Sequence, residues 1–330
     1  MNNYDPSDTQ QQESLMWGHP LVTTNYVALT PSMPVALGKA MEAVMYHKKC
    51  LVFEAIPRAG KSTTCRFVVS ALTSSAALGD RFMTCISADT NDEPKYRESI
   101  IKILAKSLEI LAFGTKPYKV VRSDVINSIE SRVRNKNGRH WILFLDEMQA
   151  LSKEDFRNLQ VIQNELALHN IDTTVIGFSQ SQMLWRISDL KAENCKELVA
   201  RFASDICNLP CCSDSKWMIE TLKRYDDEYT YPEQSGCTFT QFFLPRAYAA
   251  GFRYASTAPD IYQVMSQCAK NANLNVLPTA LIFDVFRFIL IRSMGHDAPG
   301  FTVTQEMIDS AIAESRLRSY ADLFQKEITP

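Results

Sequence analysis

Short unbroken apolar runs alternate along the first two-thirds of the chain with longer segments whose apolar positions recur at helical spacing. The runs are Leu51-Val52-Phe53 and Trp141-Ile142-Leu143-Phe144-Leu145; residues 81–87, 173–177 and 204–210, which mix apolar with polar residues, also read as strands. Between them, helices are predicted over residues 34–46, 62–75, 93–111, 122–135 and 153–168. Val35, Leu37, Met41, Val44 and Met45 mark the apolar positions of the first; Ile100, Ile101, Leu104, Leu108 and Leu111 mark those of the third. Apolar strands alternating with helices argue for an α/β fold, a parallel sheet covered by helices. After residue 211 the strand signals fade, and residues 261–270, 278–291 and 303–313 read as helices with one apolar face. The expected organisation is a flexible tail over residues 1–25, an α/β core over 26–211 and a smaller helical lid over 212–330. The tail assignment rests on its polarity, with Gln10-Gln11-Gln12-Glu13 and no periodic apolar face; such a segment stays mobile until a partner orders it.

The first apolar run leads into Ala55-Ile56-Pro57-Arg58-Ala59-Gly60-Lys61-Ser62-Thr63. A strand, a tight turn and a helix N-terminus together give the G-x-x-x-x-G-K-[ST] pattern its physical meaning as a phosphate-binding loop. Backbone N–H groups and the helix dipole favour the anion. Lys61 is positioned to reach the β- and γ-phosphates and Ser62 to ligate Mg2+. Ala55 stands where the first glycine is usual, so the turn must close at a negative φ there.

The 141–145 run ends in Asp146-Glu147. A continuous hydrophobic run reads as a buried parallel strand, and the carboxyl ends of such strands face the ligand crevice. Asp146 is thus a candidate for the Mg2+ shell and Glu147 for polarising the attacking water. Acids at a solvated helix start would give the same pair, but the loop upstream favours a nucleoside-triphosphate site. A GTPase is disfavoured, because no Asn-Lys-x-Asp element is present.

Composition sets limits. With 330 residues, 46% hydrophobic and 22% charged, the chain resembles an ordinary globular protein with one large or two modest domains. No apolar run approaches the roughly 20 residues of a membrane span, and the N-terminus lacks signal-peptide character. Nine cysteines, scattered and odd in number, suggest reduced thiols and a cytosolic location. Cys207, Cys211 and Cys212 cluster without zinc-type partners. A net charge of −2 excludes a uniformly basic nucleic-acid binder and requires any such surface to be local.

The order of these parts resembles an AAA+ ATPase: phosphate loop, second strand, Asp146-Glu147, a fourth strand ending in polar residues, Arg201-Phe202 and a helical tail. Asp146-Glu147-Met148-Gln149-Ala150-Leu151, followed by Val175-Ile176-Gly177-Phe178-Ser179-Gln180, is similar to the TnsC/TniB group of transposition regulators. Within it, the chain looks like the TnsC proteins of CRISPR-associated transposons that use a Cascade-type targeting complex. The resemblance implies an AAA+ P-loop fold with a five-stranded parallel sheet and a helical lid. It implies ATP and Mg2+ as cofactors, and assembly as a ring or filament on duplex DNA. It further implies a link between an RNA-guided targeting complex, through its adaptor, and the transposase subunits. By the same resemblance, Ser179 or Gln180 would be the sensor of the γ-phosphate or attacking water. Arg201 would act in trans on a neighbour's ATP. The lid shows no evident sensor arginine, which bears on the speed of hydrolysis more than on nucleotide binding. A different class stays open: a nucleotide-binding signalling or scaffold protein with protein partners and little turnover.

Basic excess is local. Residues 114–140 hold seven Lys or Arg against Asp124 and Glu130, a balance of +5. Lys95, Lys102 and Lys106 would share one face of the 93–111 helix. The resemblance places DNA against segments following the second strand, making Lys95, Arg97, Lys116 and Lys119 the candidates for phosphate contacts. Such contacts are sequence-independent and salt-sensitive.

Overall fold

The computed structural model describes residues 4–325 apart from 76, 77, 79, 80, 92, 94, 272, 273 and 275. Its contacts divide the chain into two units: Ser32–Pro210 is one, and the segments on either side of it together make the other. The division falls at 31/32 and 210/211, instead of the expected 25/26 and 211/212.

The chain begins with α1 (Thr9–Met16) and α2 (Pro20–Thr23). The central unit then runs α3 (Ser32–Met45), β1 (Cys50–Glu54), α4 (Lys61–Thr73), β2 (Phe82–Ser87), α5 (Ile100–Ser107), α6 (Tyr118–Asn135) and β3 (His140–Asp146). It continues α7 (Lys153–Leu168), β4 (Asp172–Ser179), α8 (Gln182–Ala192), α9 (Lys196–Phe202) and β5 (Ile206–Asn208). Helices α10 (Ser215–Asp227), α11 (Phe239–Phe243), α12 (Pro245–Ala249), α13 (Ala258–Lys270), α14 (Thr279–Ser293), α15 (Gln305–Ser315) and α16 (Leu317–Gln325) complete the chain.

All five strands are parallel, in the order β2-β3-β4-β1-β5. The parallel α/β sheet and helical C-terminal region expected from the hydrophobic pattern are both present. Residues 140–145 of β3 and 50–53 of β1 are buried, while the last residue of each strand is only partly so. This is why both read as unbroken apolar runs that stop at a polar residue. The edge strand β2 instead alternates, leaving Cys85 exposed.

Two helices depart from their sequence expectation. The 93–111 helix is shortened to α5, because Asp89 accepts the N–H groups of Asn91 and Glu98 and holds the preceding segment in turns. Leu111, expected in the core, is 86% exposed. Helix α3 buries Met33, Ala36, Ala40, Ala43 and Val44, so Val35, Met41 and Met45 lie outside the core. Small alanines let the helix approach the sheet closely, an effect that hydrophobicity alone under-reads.

Residues 4–31 are not a free tail. Asp8 caps α1 by accepting from the N–H groups of Gln10 and Gln11. His19 and Leu21 are fully buried in the second unit's core. The His19 ring lies between 4.6 and 4.8 Å from the rings of Tyr231, Phe239, Phe242 and Phe243. Its Nδ1 accepts the Leu21 N–H at 3.0 Å. Two residues thus anchor a segment whose overall polarity suggested mobility.

Candidate functional site

Strand register assembles the site. Glu54 of β1 pairs with Ser179 of β4, and Leu145 of β3 pairs with Gly177 of β4. The end of β4 therefore lies between the loop leaving β1 and the acids leaving β3. Ala55 N–H donates to the Ser179 carbonyl at 3.1 Å, stitching the first residue of the loop to β4.

The loop turns at Arg58 and Gly60, with φ of 60° and 84°, while Ala55 is not among the left-handed residues. The missing first glycine is therefore accommodated without the strain a positive φ would bring. Pro57 and Ala59 complete the bend, Ala59 N–H donating to the Ile56 carbonyl at 3.3 Å. Gly60 is the N-cap of α4 and supplies no side chain to its first turn. Lys61, Ser62 and Thr63 open the helix at an end whose N–H groups favour an anion. Lys61 is 6% exposed, its ammonium donating to the carbonyls of Ala55 and Ile56 at 3.4 and 3.2 Å. Both bonds are long for a charged donor.

Opposite the loop, Asp146 accepts the Glu147 N–H at 3.0 Å. Glu147 sits in left-handed backbone, φ 54°, starting a short 3-10 turn over Met148–Ala150. That turn lies against β4 because residue 177 is glycine: a Cβ there would stand 2.3 Å from Met148 Sδ. Glu147 Oε2 accepts the Gln180 side-chain amide at 3.1 Å and also that of Gln149. The Gln149 side-chain Oε1 in turn accepts the Gln180 backbone N–H at 3.0 Å. Ser179 is fully buried, and its hydroxyl has no hydrogen-bond partner among the described residues.

The donor set suits a metal-bound triphosphate: a helix start with a glycine cap, a buried ammonium, the Ser62 hydroxyl and the Asp146 carboxylate. The orphaned Ser179 hydroxyl is a further polar group at the β4 end of this crevice. Interaction between Cys65 of α4 and Cys85 of β2 lowers the Cys85 thiol and raises that of Cys65.

Arg201 lies elsewhere. In the last turn of α9 it donates to Asn164 Oδ1 at 2.8 Å and Gln163 Oε1 at 3.4 Å. With Lys48, Lys49, Glu197 and Asp205 it lines a polar hollow at the start of β1. The phosphate loop leaves the other end of that strand, about 16 Å away at roughly 3.3 Å per residue. The structure brings the loop, Asp146, Glu147, Ser179 and Gln180 together, and leaves Arg201 apart from them.

The proposed DNA residues are scattered in their commitments. Arg97 donates to the Asn91 carbonyl at 3.0 and 2.7 Å and to the Ala150 carbonyl at 3.1 Å, bracing the turn that carries Glu147. Lys116 pairs with Asp124 at 2.7 Å. Lys95 lies 3.3 Å from Glu93, 4.6 Å over the Tyr96 ring and outside α5, so it does not share a face with Lys102 and Lys106. Lys119 is exposed in the first turn of α6. Sequence reading missed Gln149, Met148 and the bracing role of Arg97. Gln149 stood within the quoted motif, but its spacing did not reveal that the turn folds it back onto Glu147.

A family model described as an AAA domain matches residues 44–181, from α3 to just past Gln180. Among solved structures, the fold is similar to the Aeropyrum pernix ORC1 protein in complex with DNA, at 16% identity and a TM-score of 0.54, covering 89% of this chain and 68% of that one. It is also similar to the ADP form of the Aeropyrum pernix ORC2 protein, at 11% identity and a TM-score of 0.55, covering 88% and 70%. No curated protein matches the sequence. At such identities the likeness bears on the fold alone. Residues 44–181 thus match an AAA domain, and the chain has the AAA+ P-loop fold, with its five-stranded parallel sheet flanked by helices and a helical C-terminal region. Among the described residues no helix is long and apolar enough to cross a membrane.

Proposed function

We propose that the protein is an ATP-dependent regulator of DNA transposition that assembles on duplex DNA and hydrolyses ATP to control that assembly. The observation that carries the reading is the placement of the 55–63 loop and Asp146-Glu147 on either side of the β4 end, with Gln180 bonded to Glu147. Lys61 would exchange its two long carbonyl bonds for phosphate oxygens. Ser62 and Asp146 would hold Mg2+, which when bound offsets the phosphate charge. Glu147 would orient the attacking water and Gln180, beside Ser179, would sense it.

Arg201 would serve the nucleotide of an adjacent copy, consistent with its distance from its own loop. Its fixed guanidinium donors suit charge developing on a transferring phosphoryl group. ATP then favours assembly by bridging one subunit's loop to the next subunit's arginine, and hydrolysis weakens it. Lys95, Lys116 and Lys119 remain the proposed phosphate contacts to DNA, whereas Arg97 is better explained as a brace. The resemblance to transposition regulators supplies the remaining partners: transposase subunits and an RNA-guided targeting complex.

A steady-state ATPase assay with unrelated duplexes at rising salt tests the reading. Stimulation by any duplex, falling as salt increases, is expected. ATP binding without duplex-stimulated turnover would favour the nucleotide-binding scaffold instead.

A further inference from the structure

Resting on the ATPase reading above, we propose that Gln149 is a positioning residue for hydrolysis, holding Glu147 and Gln180 in one fixed arrangement. Its side chain makes a bond at each end. The amide nitrogen donates to Glu147 Oε2, and the amide oxygen accepts the backbone N–H of Gln180 at 3.0 Å. The orientation is dictated by the partners: reversing the amide would set its oxygen against a carboxylate and its NH2 against an N–H donor. Gln180 closes the ring by donating its own side-chain amide to the same Glu147 oxygen at 3.1 Å.

Two donors fill the acceptor positions of Glu147 Oε2 and fix the plane of the carboxylate. That leaves Oε1 as the oxygen with which Glu147 can take a water. The surrounding turn supports this arrangement. Ala150 N–H donates to the Glu147 carbonyl at 2.8 Å, and Arg97 holds the Ala150 carbonyl at 3.1 Å. The Gln149 carbonyl lies 3.5 Å from Arg186 Nε of α8. Gln149 therefore bridges the water-activating glutamate and the residue at the end of β4, without being placed to touch the nucleotide itself.

Three variants test this in the full-length protein with ATP and duplex DNA. In Gln149→Ala, kcat should fall about tenfold while KM and the affinity for a fluorescent ATP analogue stay within about twofold, the signature of an interaction needed only in the transition state. Gln149→Glu keeps the length and the acceptor for Gln180 but cannot donate to Glu147, so its kcat should be no better than that of Gln149→Ala. Adding Gln149→Ala to Glu147→Gln should cause no further loss, because the two act through one group. Wild-type turnover that Gln149→Ala leaves intact, or that Gln149→Glu restores, overturns this inference alone. A wild-type protein that neither binds nor hydrolyses ATP overturns it together with the reading on which it rests.

Discussion

Glu147 occupies left-handed backbone, φ 54°, a conformation that costs a residue with a Cβ about 1–2 kcal/mol. The 3-10 turn after it and the amides of Gln149 and Gln180 hold it there. Replacing its carboxylate by an amide keeps the size and removes the charge that orients water. In Glu147→Gln, nucleotide affinity should stay near wild type while single-turnover hydrolysis falls by about a hundredfold or more; loss of nucleotide binding would contradict the role assigned to Glu147. Gly177→Ala probes the same turn from behind. The new Cβ must displace Met148, at a cost of about 1–3 kcal/mol, and turnover should drop with it. Shortening the obstacle, as Gly177→Ala with Met148→Ala, should recover activity if the clash is the cause. Residue identities in the loop and in Asp146-Glu147 were legible because fixed spacing after an apolar strand has a physical meaning. Gln149 was not, since its contacts depend on the path of a three-residue turn. Arg97 looked like a DNA-facing cation for a related reason: nothing in the sequence marks carbonyls at residues 91 and 150 as its acceptors.

At the scale of elements, unbroken hydrophobic runs located β1 and β3, the mixed segments 81–87, 173–177 and 204–210 located β2, β4 and β5, and α7 matches its expected span, 153–168. The sequence reading failed where one side chain outweighed a periodic pattern. Asp89 prevents the segment before α5 from continuing as helix, and His19 with Leu21 seats the N-terminal segment. Burial pushes the His19 imidazole down to about 3. Because the folded value lies below the ordinary one of about 6.5, stability from neutral His19 is present above pH ~6.5 and is lost as pH falls toward ~3. His140, pushed down to about 4 chiefly by burial, acts in the same direction in the other unit. Thermal melts across this range should show a steep acid loss that is shallower in His19→Leu. Since leucine cannot accept the Leu21 N–H, that variant should also lose about 1 kcal/mol at neutral pH. An unchanged pH dependence in His19→Leu would show that other groups govern the acid transition.

For the whole molecule, the order of strands and helices was readable from alternation. What the pattern could not give is distance. Arg201 lies at the start of β1 and the phosphate loop at its end, so the proposed chemistry needs two copies. Arg201→Ala alone should reduce turnover by roughly a thousandfold, and so should Lys61→Ala. Mixing the two inactive variants should restore partial activity, because some interfaces then pair an intact loop with an intact arginine. The most direct measurement is sedimentation of the protein with a non-hydrolysable ATP analogue and duplex DNA. The expected result is a nucleotide-dependent assembly on DNA, absent in Lys61→Ala and weakened in Arg201→Ala; sedimentation that is the same with and without nucleotide would contradict it.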